Sequence, residues 1–164
     1  IIGLPNAGKS SLLASITNAT PKIANYQFTT LNPNLGVASY DDKEITLADI
    51  PGLIEGAHEG TGLGIQFLKH IERCKTLLHL IDITNHDLVA AYNQVKNELK
   101  NYSQDLLKKK ELIVLNKVDL IDEALAQELI KEFSKKIHGE IITLSTLEKK
   151  SVSKIKSKLI SYVA

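Results

Sequence analysis

Residues 3–10 read Gly-Leu-Pro-Asn-Ala-Gly-Lys-Ser, which fits the pattern G-x-x-x-x-G-K-[ST] at every fixed position. Few patterns constrain a fold so tightly. The loop needs a strand before it and a helix after it, because its backbone N–H groups converge on a di- or triphosphate at a helix N-terminus. Ile1-Ile2 leads in as an apolar strand does, and Lys9, Ser10, Ser11, Leu12 and Leu13 continue as the helix. Gly3 and Gly8 remove side chains that would block the convergence, and Leu4, Pro5, Asn6 and Ala7 span the loop between them. Lys9 is placed to bring positive charge to the β- and γ-phosphates, and the Ser10 hydroxyl is a candidate Mg²⁺ ligand.

A phosphate loop does not choose a base, and Asn116-Lys117-Val118-Asp119 does. These residues follow the apolar run Leu112-Ile113-Val114-Leu115, which reads as a buried parallel strand. Ligands of doubly wound sheets sit at the carboxyl ends of strands, where this motif falls. The Asp119 carboxylate can accept from N1–H and the 2-amino group of guanine. Adenine has no N1 donor and leaves that carboxylate unpaired, at a cost of about 1–3 kcal/mol or more. The Lys117 stem can cover a base face, and Asn116 can tie its loop to the phosphate loop. A third motif, Asp49-Ile50-Pro51-Gly52, closes the expected strand Ile45-Thr46-Leu47-Ala48. Asp49 is placed to hold Mg²⁺ through a water, and the Gly52 N–H can meet the γ-phosphate in a loop that changes when that phosphate leaves.

Together these segments resemble the nucleotide-binding domain of the Obg GTPases, within the Ras-like translation-factor class. The resemblance rests on residues 3–13, 21–37, 49–74 and 116–119 and is thin between about 84 and 110 and after 120. It implies a threonine that ligates Mg²⁺ and senses the γ-phosphate within Phe28-Thr29-Thr30; Thr30 is the first candidate and Thr29 the alternative. By the same resemblance Lys9, Thr30 and Gly52 are catalytic, and Ser10, Thr30 and Asp49 hold the metal. The family's last motif, usually Ser-Ala-x, falls at Ser145-Thr146-Leu147. Its guanine O6 contact is a backbone N–H, which threonine keeps. Glu148-Lys149-Lys150 also departs from the usual glycine-containing turn.

Leu53 stands where Ras-like enzymes that orient water with a side chain carry Gln. Leucine cannot hydrogen-bond water, so hydrolysis is slow or draws on another group. Relatives with Asn in the phosphate loop often use potassium. The Asn6 carbonyl oxygen suits such a hard cation, and bracing the loop is its structural alternative. The implied ligands are therefore GTP or GDP with Mg²⁺, and K⁺ through Asn6. The implied work is large ribosomal subunit assembly and stress response, with ribosomal RNA and proteins as partners. Two rivals remain: an Obg-like ATPase, against which Asp119 stands, and a nucleotide-sensing module with negligible turnover, which Leu53 favours.

The expected fold is α/β, a Ras-like P-loop NTPase domain with a mostly parallel six-stranded sheet, one antiparallel strand and helices on both faces. Strands are expected at 1–2, 35–40, 44–50, 77–82, 111–115 and 140–144, and helices at 9–18, 62–74, 87–101, 122–137 and 150–163. Asp41-Asp42 makes a hairpin of the second and third strands. Residues 20–34 and the stretch 52–64, with five glycines, read as mobile switch segments. Glu55, His58 and Glu59 there are candidates for water positioning or a partner surface, though exposed loop charges are more often simply solvated.

At 164 residues the chain is sized for one domain, residues 1–164. Ile1-Ile2 is short for a central strand, so the domain is expected to be excised from a longer chain and monomeric alone. Twenty basic against nineteen acidic residues give no electrostatic argument for nucleic acid. Lys154, Lys156 and Lys158 are most simply a solvated helix face, with RNA binding the alternative. The single cysteine, Cys74, excludes an intramolecular disulfide and suits a reducing cytoplasm, the expected location. No apolar run approaches the ~18 residues of a membrane span.

Overall fold

In the computed structural model, which describes residues 1–17, 22–23, 34–49 and 71–163, strands and helices alternate along the chain. They are α1 (Lys9–Ile16), β1 (Lys22–Ile23), β2 (Asn34–Tyr40), β3 (Lys43–Asp49), β4 (Thr76–Asp82), α2 (Leu88–Tyr102), β5 (Lys110–Asn116), α3 (Glu123–Lys136), β6 (Glu140–Leu144) and α4 (Lys149–Val163). Short 3₁₀ turns, Gln104–Lys108 and Val118–Leu120, precede and follow β5.

Two three-stranded ladders carry the helices. β4, β5 and β6 are parallel in that order, whereas β1, β2 and β3 are antiparallel. The hairpin at Asp41-Asp42 is present. Both residues have positive φ, 51° and 58°, as a two-residue turn matching strand twist requires, and aspartate tolerates that conformation.

The sheet departs from expectation in two respects. Among the described residues there are two antiparallel pairings rather than one, because Lys22 and Ile23 pair with Leu35 and Asn34. Two residues are too short a ladder to show any periodicity. The expected strand 1–2 is a single parallel bridge of Ile2 to His79, made by Ile2 N–H to Leu78 O at 2.9 Å and Leu80 N–H to Ile2 O at 2.8 Å. Ile1 N donates to Ala48 O at 2.6 Å, so this dipeptide touches both β3 and β4. Helix α1 stops at Ile16, short of the expected 18, where the Thr17 hydroxyl and N–H both bond back to Leu13 O. Of the expected helix 62–74, residues 71–73 are described and helical; Cys74 lies just beyond them, half-buried.

Alternation along the buried strands builds a core on each face. Leu78 and Leu80 of β4, with Leu112 and Val114 of β5, pack with Leu12, Leu13 and Ile16 of α1 and Val152, Ile155 and Leu159 of α4. Leu77 joins Val95 and Leu99 of α2. Ile81, Ile113 and Leu115 meet Leu88 and Ala91 of α2 and Ala126 and Phe133 of α3. The expectation of helices on both faces is met.

On the α2 side the strand β4 buries a polar side chain, His79. His79 Nδ1 lies 2.8 Å from Glu111 Oε1, while Lys96 Nζ (2.8 Å) and the Tyr92 hydroxyl (3.1 Å) donate to Glu111 Oε2. The His79 ring stacks on Tyr92, centroids 5.0 Å apart, and Tyr92 meets Phe133 edge-on. Burial pushes the Glu111 carboxyl up, but hydrogen bonds from His79 and Lys96 outweigh it and hold the group down at about 2. Burial lowers the His79 pKa, so the ring is neutral and donates from Nδ1.

Candidate functional site

The carboxyl ends of β3, β4, β5 and β6 and the loop 3–8 gather the motifs. The loop is compact: Ala7 N–H bonds to Leu4 O (3.2 Å), Leu12 N–H to Gly8 O (2.8 Å), and Asn6 has φ 64°. Its two glycines are sterically required. A Cβ on Gly3 would lie 2.3 Å from Leu80 O. One on Gly8, at φ 97°, would lie 2.4 Å from Asn116 Nδ2. Leu4 packs into the apolar side of the core and Ala7 is buried, while Pro5, Asn6, Ser10 and Ser11 are exposed.

Lys9 leaves the first turn of α1 and returns to the loop, where its ammonium donates to Gly3 O and Leu4 O, both at 3.0 Å. The Ser10 hydroxyl donates to Asp49 Oδ2 at 2.9 Å, joining the phosphate loop to the end of β3 across 39 residues. Asp49 is buried, and its Oδ1 has no hydrogen-bond partner among the described residues. A buried anionic oxygen without a donor is costly, and a hydrated cation beside it would satisfy it. Serine hydroxyl and carboxylate are hard oxygen donors of the kind Mg²⁺ takes, so the pair fits that ion. Among the described residues no three His, Cys, Asp or Glu side chains converge as a metal cage.

Asn116 is fully buried at the end of β5, and its Nδ2 donates to Ala7 O at 2.9 Å. Its Oδ1 is buried without a hydrogen-bond partner among the described residues. Lys117 adopts the left-handed conformation, φ 67°, and starts the 3₁₀ turn that carries Val118 and Asp119. Asp119 is exposed and makes no hydrogen bond or ion pair among the described residues. At the end of β6, Ser145 is buried. Its N–H donates to Ser151 Oγ (3.0 Å), and its hydroxyl accepts from Leu147 N–H (3.3 Å). Glu148 N–H returns to Ser145 O, and among the described residues no hydrogen bond of this turn uses Thr146 N–H. Leu147 projects outward, 82% exposed.

Sequence reasoning missed Asp82. It ends β4 directly beside Asn116 in the parallel ladder, and its Oδ2 accepts from Lys117 Nζ at 2.7 Å. Its Oδ1 accepts from Thr84 N–H (2.9 Å) and Thr84 Oγ1 (2.7 Å). The signal available was Asp-x-Thr after an apolar strand, a turn in which the carboxylate caps the backbone two residues on. The candidates Phe28, Thr29, Thr30, Ile50, Pro51 and Gly52 lie outside the described residues, as do Leu53, Glu55, His58 and Glu59.

A glycine loop opening a helix, and bound by the Asn of a second strand-end motif in a sheet flanked by helices, defines a P-loop GTPase domain of the Ras-like class. The chain belongs to the family described as the 50S ribosome-binding GTPase, whose model matches residues 1–117. It is 76% identical over 164 residues to GTPase Obg of Pelagibacter ubique (strain HTCC1062), covering all of this chain and 50% of that protein. With GTPase Obg of Rickettsia felis it shares 54% identity over 155 residues, 94% of this chain and 47% of the relative. The resemblance to the Obg GTPases therefore holds over the full chain. The chain spans about half the length of the curated relatives it matches. Among solved structures, the G domain of the T. maritima FeoB iron transporter superposes with a TM-score of 0.68 at 21% identity, covering 99% of this chain and 95% of that one, a likeness of fold alone. No described helix is long and apolar enough to cross a membrane.

Proposed function

We propose that residues 1–164 form one nucleotide-switch domain of a longer cytoplasmic protein, cycling between GTP and GDP states in the service of large ribosomal subunit assembly and the stress response. The observation that carries the switch reading is the hydrogen bond from Asn116 Nδ2 to Ala7 O. It fixes the base-selecting motif against the phosphate loop, so one ligand carrying both guanine and phosphates spans the two. The ribosomal partner draws support from the family's description. As a domain without its flanking partners, the chain is expected to be monomeric.

In this reading the loop 4–8 wraps the β-phosphate at the start of α1, Pro5 shaping the loop without a donor of its own, with the N–H groups of Asn6, Gly8, Ser10 and Ser11 turned to the phosphate. The Lys9 ammonium, already at the loop, exchanges its two carbonyl partners for phosphate oxygens. Asp119 takes the guanine N1–H and amino group, the Lys117 stem lies along the base, and Thr146 N–H meets O6. Ser10, Asp49 and Thr30 would hold Mg²⁺, which when bound supplies charge stabilisation to the phosphates. Asn6, exposed at the loop tip, would contribute to a potassium site. Phe28, Thr29, Ile50, Pro51 and Gly52 complete the nucleotide contacts, with Gly52 N–H and Thr30 sensing the γ-phosphate. With Leu53 beside them, turnover is slow, and negligible turnover is the second reading that this leucine favours.

The test is base selection. GDP and GTP bind far more tightly than ADP and ATP, and Asp119→Asn shifts preference toward xanthine nucleotides, whose C2 carbonyl needs a donor. Equal affinity of the native chain for GDP and ADP overturns the assignment. Single-turnover hydrolysis of bound GTP then separates a slow enzyme from a pure sensor.

A further inference from the structure

A lysine stem makes a poor platform unless something holds its far end. Four rotatable bonds let an unanchored ammonium sweep through solvent, and a ring that settles against the stem must then immobilise it. In this chain the far end is held. Lys117 Nζ lies 2.7 Å from Asp82 Oδ2, and the carboxylate is itself locked by two hydrogen bonds from Thr84 to its other oxygen, at 2.9 and 2.7 Å. The two oxygens thus have separate duties: Oδ1 closes the turn after β4, and Oδ2 takes the lysine.

The backbone on either side is equally fixed. Asp82 and Asn116 are register partners in the parallel ladder, and Ile83 N–H donates to Asn116 O at 2.9 Å, carrying the pairing one residue further. Lys117 follows at φ 67°, a conformation lysine rarely adopts, and Leu120 N–H returns to its carbonyl at 3.0 Å. Both ends of the lysine are therefore pinned, one by main-chain geometry and one by an ion pair shielded from most solvent.

We infer that Asp82, oriented by Thr84, is a positioning residue that pre-sets Lys117 as the shelf for the purine ring, and so governs how long a guanine nucleotide stays bound. This rests on the reading of Lys117 as the residue that covers the base. Burial alone would push the Asp82 carboxyl up, yet the hydrogen bonds from Lys117 and Thr84 outweigh it and hold the group below its ordinary value, so the anchor is charged across the physiological range.

The experiment is stopped-flow release of a fluorescent GDP analogue from the native chain and from variants. Asp82→Asn keeps an oxygen for Thr84 and loses the ion pair; it speeds release about fivefold, the worth of a partly shielded pair. Thr84→Val removes one of the two bonds to Asp82 and gives a smaller acceleration in the same direction. Lys117→Met keeps an apolar stem without the ammonium, and in that background Asp82→Asn has no further effect. Equal acceleration by Asp82→Asn in the Lys117 and Met backgrounds would mean that Asp82 acts through the fold rather than the lysine, and would overturn the proposal, as would unchanged release from Asp82→Asn alone. Lys117→Ala tests the underlying reading separately. If removing the whole stem leaves release unchanged, the base-covering role fails, whatever Asp82 does.

Discussion

Gly8→Ala isolates the contact on which the site depends, and its cost can be built from the structure. The added Cβ would stand 2.4 Å from Asn116 Nδ2, closer than any carbon tolerates, at a φ of 97° that alanine adopts poorly. The backbone penalty is about 1–2 kcal/mol. The steric one forces the Asn116 amide away from Ala7 O, and losing that buried hydrogen bond costs about 1–3 kcal/mol more. Asn116→Ala loses the same bond and also clears the space. In its presence Gly8→Ala therefore costs the backbone penalty alone. Urea unfolding of the four proteins, followed by circular dichroism in the absence of nucleotide, measures the cycle. The expected coupling is about 1–3 kcal/mol, with each single variant also weakening GDP binding. Additivity within about 0.5 kcal/mol would show that Gly8 and Asn116 do not share one contact, and would refute the account of how the base motif holds the phosphate loop.

Stability should fall with acid in two stages. His79 and Glu111 both have folded-state pKa values below their unfolded ones, so their contribution is complete above the unfolded values and lost on lowering the pH. Loss begins with His79 below 6.5 and continues with Glu111 between 4.5 and about 2. The Glu111 share is up to about 3 kcal/mol. Glu111→Gln should flatten the lower stage in thermal melts recorded against pH. For the metal, Ser10→Ala and Asp49→Asn should each raise the Mg²⁺ concentration needed for half-maximal GTP binding by about tenfold, while binding of GDP without Mg²⁺ changes little. In hydrolysis at saturating Mg²⁺ and equal ionic strength, potassium should outpace sodium, and Asn6→Ala should erase the difference while sparing GDP affinity. Identical rates in the two salts would remove the cation.

What could be read from the chain was whatever local chemistry dictates. The spacing of Gly3, Gly8, Lys9 and Ser10 demands a strand-to-helix turn, and the apolar run 112–115 followed by Asn116 demands a strand end, so their meeting through Ala7 was foreseeable. The hairpin at Asp41-Asp42 and the strand Glu140–Leu144 were equally legible. Pairings that depend on partners far away were not. Nothing near Lys22-Ile23 marks it as a ladder, since its partners are Leu35 and Asn34 and the pattern is two residues long. His79 reads as a flaw in an apolar strand until Glu111, 32 residues on, is found beside it. Asp82 was hidden for the same reason, because Lys117 lies 35 residues away.

The bond from Asn116 to Ala7 joins residues 109 positions apart, and that separation has a meaning during biosynthesis. A ribosome adding ~5–20 residues per second needs roughly 5–20 s to travel from one partner to the other. Through that interval the glycine loop exists without the side chain that secures it, and neither half of the nucleotide site can be completed by local folding. Competence to hold guanine nucleotide therefore arrives late, only after β5 has emerged and docked beside β4.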